Sequence, residues 1–563
     1  ANPTSISTDG SSTITVALRD AAGNALTTSG GTVTLATTLG ALTAVSDQGN
    51  GSYTATLTAT TTGTATVTGT LNGNAIADNA TVSVGVGAAS VATSTITTNV
   101  GSITTDGAAI VTVQLRDANG NNLTAGAGTV ALSTTLGALS AVTNNGNGTY
   151  TATFTSAALG TATITGTLNG TPIADDASVT VSVGAASLAT SLITAAPSAI
   201  TTDGTSTVTV QLRDAAGNNL TAGAGTVTLA TTLGALGSVT NNANGTYTAT
   251  FSSAALGTAQ ISGALNGNAL ADTAGVTVTI GAPSTATSTI TANPTSITTD
   301  GSSTITLQLR DAANNAFTTG SGTIALATTL GSLSVVTNNN DGTYTATLTA
   351  ASTGSATITG TINGNTIVDN AVVIVGVGGA STAQTTITSS SGSITTYQSA
   401  VITVQLKDAS GNNLGSSGGT VALSTTIGSL TGVTDNGNGT YTATLTSGTL
   451  GTATITGTLN GSPITDQESV TITVGAPSTA TSQITAGAAS ITVDGSTTIT
   501  VQLRDAAGNN RTAVGQTVVL STTLGSLTGQ TTNGDGTVTA TLTATAPGTA
   551  TITGTVNGNA IVD

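Results

Sequence analysis

The sequence predicts an all-β protein, a tandem array of six immunoglobulin-like β-sandwiches forming an elongated rod. Three observations carry that expectation. A strand-and-turn segment, TITVALRDAAGN at Thr13 to Asn24, returns five times, and its aspartate falls at Asp20, Asp117, Asp214, Asp311, Asp408 and Asp505, each 97 residues after the last. Apolar residues alternate with Thr, Ser and Asn over short runs, the period-two pattern of a half-buried strand, and no stretch shows helical periodicity. Turn signals rich in Asn and Gly punctuate these runs roughly every 8–12 residues, the spacing of a small sandwich.

The repeat period divides the 563 residues into six units, each large enough to bury its own core. Gly87, Gly184, Gly281, Gly378 and Gly475 share the period and mark the joints. The units are then 1–87, 88–184, 185–281, 282–378, 379–475 and 476–563. A glycine at each joint suggests a turn with positive φ between the last strand of one unit and the first of the next. Linkers this short favour a stiff rod over a flexible string, with each unit adding roughly 40 Å and six reaching on the order of 240 Å.

Within the second unit, Ser102 to Thr105 is one half of a split first strand. The other half is read from its counterpart Ser191 to Thr194 at the start of the third unit. Ile110 to Asp117 is the second strand, with Val111, Val113 and Leu115 on one face and Thr112, Gln114 and Arg116 on the other. Thr129 to Thr135 follows, pointing Val130 and Leu132 inward. A short segment at Leu139 to Val142 leads to the turn Asn144-Asn145-Gly146-Asn147-Gly148. Tyr150, Ala152 and Phe154 face the core from the next strand. Thr161 to Leu168 then runs into the tight turn Asn169-Gly170, and Ile173 to Val183 closes the unit.

Composition narrows the functions. Cys, His, Trp and Met are absent, which removes disulfides, thiolate metal sites, the commonest general base and the commonest nucleophile pairs. An enzyme is therefore disfavoured, and no catalytic or cofactor-binding residue is assigned. Seven basic residues stand against 23 acidic ones, for a net charge of −16. Nucleic acid and anionic membrane surfaces need clustered Lys and Arg, so neither is an expected partner. No apolar run approaches the ~18 residues of a membrane helix; the longest, Ala371 to Ala380, reads as a buried strand and a glycine turn. Disorder is the simplest reading of so much Gly, Ser and Thr, but the apolar alternation returning in register argues for folded units.

The motifs SITTDG, TVQLRDAAGNNLT, GTVTLATTLGAL, NGNGTYTATL and GTATITGTLNG together resemble the bacterial immunoglobulin-like repeats of the invasin and intimin type, over the whole chain. The resemblance implies a surface-exposed stalk that carries an adhesive tip away from the bacterial envelope. The membrane-anchoring barrel and the tip of such adhesins have no counterpart here. The first unit lacks the positions matching Ala88 to Thr97, and the last lacks those matching Asn79 to Gly87. These gaps are adjacent in the repeat, so the chain is expected to be a window on a longer array.

Three acidic series recur. Asp9, Asp106, Asp203, Asp300 and Asp494 sit in a TDG-like turn, which Tyr397-Gln398 replaces in the fifth unit; a turn role explains them. The Asp20 series and the series Asp78, Asp175, Asp272, Asp369, Asp466 and Asp563 are complete. At one pole of a sandwich, beside the Asn24 and Asn72 loops, the two would offer hard oxygen ligands for a weak Ca²⁺ site at the joint. The alternative is that each aspartate accepts hydrogen bonds from its own turn amides. No metal ligand is assigned between these readings.

Arg19, Arg116, Arg213, Arg310, Lys407 and Arg504 each precede an aspartate of the Asp20 series and point to the opposite strand face, offsetting local charge without a direct pair. Lys407 is the single lysine, so intramolecular isopeptide bonds are closed to the other five units. Asn147 and Asn122 lie in triplets that match glycosylation acceptors, although turn chemistry explains most Asn-Gly cases. Tyr397 is the one aromatic expected outside the core. The expected function is a non-enzymatic stalk of an extracellular bacterial adhesin, its partners the neighbouring repeats of a longer chain. The rival is a subunit of an extracellular filament or sheath packed against other copies of itself.

Overall fold

The structure is a computed structural model describing residues 1–563, and it contains strands and turns but no helix. The chain divides into two compact bodies, Ala1–Gly281 and Ala282–Asp563. The same pair of sheets recurs along each. The second repeat serves for all: β1 (Thr95–Thr98), β2 (Ser102–Thr104), β3 (Ala109–Gln114), β4 (Val130–Thr134), β5 (Ala138–Leu139), β6 (Thr143–Asn144), β7 (Thr149–Thr155), β8 (Gly160–Leu168), β9 (Thr171–Pro172) and β10 (Ala177–Ser182).

One sheet runs β1-β3-β7-β5, with β6 also on β7; the other runs β2-β10-β8-β4, with β9 also on β8. The two halves of the expected first strand lie in different sheets. β1 pairs antiparallel with β3, whereas β2 pairs parallel with β10, Ile103 opposite Val181. The crossing occurs at Asn99 to Gly101, and Pro3, Pro197 and Pro294 stand at the matching bend in the first, third and fourth repeats. Proline has no N–H to continue a ladder, so it suits the point where the chain leaves one sheet for the other.

Alternation fills the space between the sheets. Val111, Val113 and Leu115 of the β3 segment are fully buried, as are Phe154 on β7 and Ile164 on β8. Val130, Tyr150 and Ala152 are buried as expected, while Leu132 packs against the cluster partly exposed. The Tyr150 hydroxyl donates to the Gly128 carbonyl at 2.8 Å, so the ring is buried without stranding its polar end. Asn169 (φ 47°) and Gly170 (φ 84°) both adopt the left-handed conformation required by the tight turn between β8 and β9.

Two differences from the sequence expectation are local. The run expected from Ile173 to Val183 is interrupted between Thr171–Pro172 and Ala177–Ser182, where the Asp175 side chain accepts the Ile96 amide at 2.7 Å. The third repeat instead forms one strand, Asn268–Thr279, and takes up the mismatch at an irregularity between Ser262 and Ala264. In the sixth repeat the second sheet holds only Val518–Thr522, Ile552–Val556 and Asn559–Ala560.

Because each core is separate, damage should stay local. Phe154→Ala empties a fully buried site and should destabilise its own repeat by about 3–5 kcal/mol. Urea denaturation of the whole chain should then show one early transition with the amplitude of a single repeat; one cooperative shift of the entire curve would contradict separate cores.

Candidate functional site: the joint between repeats

The strand TVQLRD ends on an aspartate because its carboxylate organises the turn that follows. Asp117 Oδ1 accepts the amides of Asn119 (3.0 Å) and Asn121 (2.9 Å), an Asx-type turn. Its Oδ2 faces the preceding repeat. There it accepts the Thr8 hydroxyl at 2.5 Å and the amide of Gly87 at 3.1 Å. The Asn121 amide group donates to the same carboxylate at 2.9 Å and also to the Thr60 carbonyl of the preceding repeat at 2.8 Å. One side-chain carboxylate thus gathers its own turn, the linker and the adjoining pole of the previous sandwich.

The arrangement recurs at the other joints inside the two bodies. Thr105 donates to Asp214 (2.6 Å), Thr299 to Asp408 (2.6 Å) and Thr396 to Asp505 (2.7 Å). Gly184, Gly378 and Gly475 each donate their amide to the same carboxylate at 3.2 Å. Asn218, Asn412 and Asn509 reach the carbonyls of Ala157, Ala351 and Gly448. Asp20 is exposed yet keeps the turn bonds from Ala22 and Asn24. Turn formation is therefore local, and burial of the carboxylate comes with the joint.

The joint glycines differ from expectation. None of Gly87, Gly184, Gly281, Gly378 or Gly475 has a positive φ. They are glycine for want of room: a Cβ on Gly184 would lie 2.6 Å from Thr105 Oγ1, and one on Gly475 2.6 Å from Thr396 Oγ1.

Asp117, Asp214, Asp408 and Asp505 are at most 1% exposed. Burial on its own raises a carboxyl pKa, but here donated hydrogen bonds outweigh it. At Asp214 the bonds from Thr105, Asn218 and Gly184 bring the value down to about 2. Asp117 and Asp408 lie lower still, for the same reasons. Neutral donors, not a cation, hold these charges. The preceding arginine is no partner: Arg213 Nε donates to Asn219 at 2.8 Å.

The two candidate calcium series make different contacts. Asp175, Asp272, Asp369, Asp466 and Asp563 accept the backbone amides of Ile96, Ile193, Ile290, Ile387 and Ile484, tying the start of each repeat to its own second sheet. Asp117 already receives donors on both oxygens, which a cation would have to displace. No cluster of three acidic side chains forms. The turn-amide alternative, extended across the joint, accounts for the Asp20 series. The Asp9 series occupies exposed turns, with Gly107 N to Thr104 O at 2.9 Å in the second repeat. Asn147 accepts the Thr149 amide at 3.1 Å, the turn role anticipated for its triplet.

The joint between the fifth and sixth repeats carries its own variation. Arg511 stands where the other repeats have Leu26, Leu123, Leu220, Phe317 and Leu414, and it donates to the Gly475 carbonyl across the joint. Val514, three residues on, is 2% exposed and restores the apolar side chain that the exchange removes. Tyr397, 64% exposed and with φ 69°, lies at this same joint beside Gly448. The hydroxyl partners Thr8, Thr105, Thr299 and Thr396 were not singled out from sequence. The signal was present, since threonine recurs at that position until Val493 replaces it.

Two outcomes follow. Asp214→Ala strands three donors in a dry joint and should cost about 2–4 kcal/mol, and Gly184→Ala should cost a comparable amount by steric exclusion. Asp20→Ala should cost much less; hydrogen exchange at Gly184 and differential melting would read the contrast. Acid should loosen the joints. A carboxyl whose folded pKa is depressed contributes fully above its unfolded value near 3.9 and loses that contribution as pH falls through the folded value. For Asp214 the loss therefore runs from about pH 4 to about pH 2. Asp214→Asn should flatten that part of the stability profile.

The sequence model of the family described as "Invasin, domain 3" matches residues 1–87, 90–184, 187–281, 284–377, 381–475 and 478–563. Among solved structures, FdeC, described as an Escherichia coli adhesin, is 26% identical, with 52% of this chain and 99% of that chain covered and a TM-score of 0.32. InvD of Yersinia pseudotuberculosis is 28% identical over 51% of this chain and 98% of its own, with a TM-score of 0.30. Invasin, described as a bacterial integrin-binding protein, is 23% identical over 68% and 78%, with a TM-score of 0.32. With six matches that together span nearly every residue, the chain belongs to the invasin domain 3 family of bacterial immunoglobulin-like repeats.

Proposed function

We propose that this array is the spacer stalk of a bacterial surface adhesin, a non-enzymatic segment that holds a binding tip away from the envelope. Membership of an adhesin-type repeat family supports the bacterial-surface setting and the absence of an enzymatic role. The observation that carries the stalk reading is the recurring buried carboxylate at the joint. Thr105, Gly184 and Asn218 converge on Asp214, so successive sandwiches share a hydrogen-bonded seam instead of a loose tether. A spacer needs such seams, because a chain of freely jointed units collapses to a fraction of its contour length.

The test is electron microscopy of the purified chain over a concentration series, with calcium and with chelator. The stalk reading expects separate, straight particles at every concentration, unchanged by chelation. Ordered fibres that appear as concentration rises would replace it with the filament or sheath subunit. Particles that kink only in chelator would restore calcium at the joints.

A further inference from the structure

In the fourth repeat the strand Ala371–Gly376, AVVIVG, lies inside the second sheet, between Ser296–Thr298 and Gly354–Ile362. Ala371, Val373 and Val375 face the core and are at most 8% exposed. The alternate side chains, Val372 and Ile374, point outward and are 43% and 52% exposed. The matching pairs are Thr81 and Ser83, Ser178 and Thr180, Gly275 and Thr277, and Ser469 and Thr471 in the first, second, third and fifth repeats. The fold therefore does not require an apolar pair there. Val368, at the bend leading into the strand, adds further apolar surface and is 74% exposed.

The rest of this outer face is small and neutral. Ser296 and Ser355 lie opposite Ile374, Thr357 lies opposite Val372, and Thr359 lies opposite Ala327 at the far strand. No strand of the sheet contains a charged or aromatic residue. A net charge of −16 opposes the approach of a second copy, but two copies meeting here would bring no charge into contact. A face without ions or rings selects its partner by apolar area and sheet shape. A second sheet of the same twist and the same side chains supplies both.

We infer that this face is a self-association surface, and that its occupant is the same face of a second copy of the chain. A two-fold axis running across the strands between Val372 and Ile374 lays each valine on the partner's Ile374. Four strands about 4.8 Å apart, over about five residues of 3.3 Å each, offer roughly 300 Å² per copy. A stable interface takes about 800 Å² from each partner, so this pairing is weak and reversible. Stalks tethered side by side would supply the local concentration such a contact needs. That setting rests on the stalk reading; the pairing does not. Since the first, second, third and fifth repeats lack the apolar pair, the product is a pair of chains and not a fibre.

The experiment is sedimentation equilibrium of the whole chain up to about 1 mM, above the concentrations used to image single particles. A monomer–dimer equilibrium is expected, with a Kd on the order of 0.1–1 mM. Added salt should tighten it, because screening weakens the repulsion between two negative chains and leaves an apolar contact intact. Val372→Ser combined with Ile374→Thr restores the residues of the fifth repeat and should weaken pairing by about tenfold or more, with the melting of the other repeats unchanged. The chain has no cysteine, so Ser355→Cys introduces a single thiol. A short bismaleimide should link two such chains, and should link far fewer chains carrying Thr452→Cys at the matching place in the fifth repeat. Monomers throughout the range, pairing undiminished in the double variant, dissociation by salt, or equal cross-linking at the two cysteines would each overturn the assignment. None of these outcomes bears on the stalk reading, which is judged by particle shape; assembly beyond a dimer would overturn the pairing and favour the filament instead.

Discussion

The carboxylate buried at the joints within each body is the constraint on which the larger structure depends. A charge removed from water is tolerated only if its lone pairs are met, and here they are met from two repeats at once. Asp117 cannot be satisfied by its own turn alone when the joint closes over it. The preceding repeat must present Thr8 and the Gly87 amide in register. A misaligned neighbour would leave a desolvated anion without partners, so the seam discriminates between orientations more sharply than an apolar contact of the same size. The depressed titration of these carboxyls is the electrostatic trace of that fit.

Inside each repeat the ordering principle is different, and it is hydrophobic. The first strand divides between the sheets, so both are stitched by one short segment, and the apolar stripe of β3 and β7 packs against that of β8 and β10. The Asp175 series closes the arrangement by accepting a backbone amide at the start of the repeat. Two families of aspartate thus divide the work: one secures the sandwich, the other joins it to its neighbour. The neutral donors around both explain how a chain with so few basic residues keeps buried or partly buried carboxylates.

Much of this was legible in the sequence. Period-two alternation located β3, β7 and β8 and their inward faces, because the side-chain period of a strand is indifferent to what lies beyond the sheet. The Asn169-Gly170 turn was equally plain, since few other pairs accept two successive positive φ values. What alternation cannot encode is which sheet a strand joins, and so the separate destinations of β1 and β2 needed coordinates. The joint was half visible. The Asp20 series stood out by recurrence and chemistry, whereas Thr8 and its counterparts were lost among many threonines. The joint glycines were recognised for the wrong reason, because steric exclusion and positive φ leave the same mark in a sequence. Arg511 and Val514 show the converse case, two exchanges that look like noise until packing shows that each answers the other.

The seam is head-to-tail, with each of the first five repeats carrying the threonine half at one pole and the aspartate half at the other. Any copy's trailing face therefore fits any other copy's leading face, provided both halves keep their consensus residues. Recombination between such near-identical coding repeats would delete or add whole units in frame and still produce joints with all donors matched. Length becomes a heritable variable that can drift without a folding penalty. The Arg511 and Val493 substitutions mark the places where that interchangeability ends.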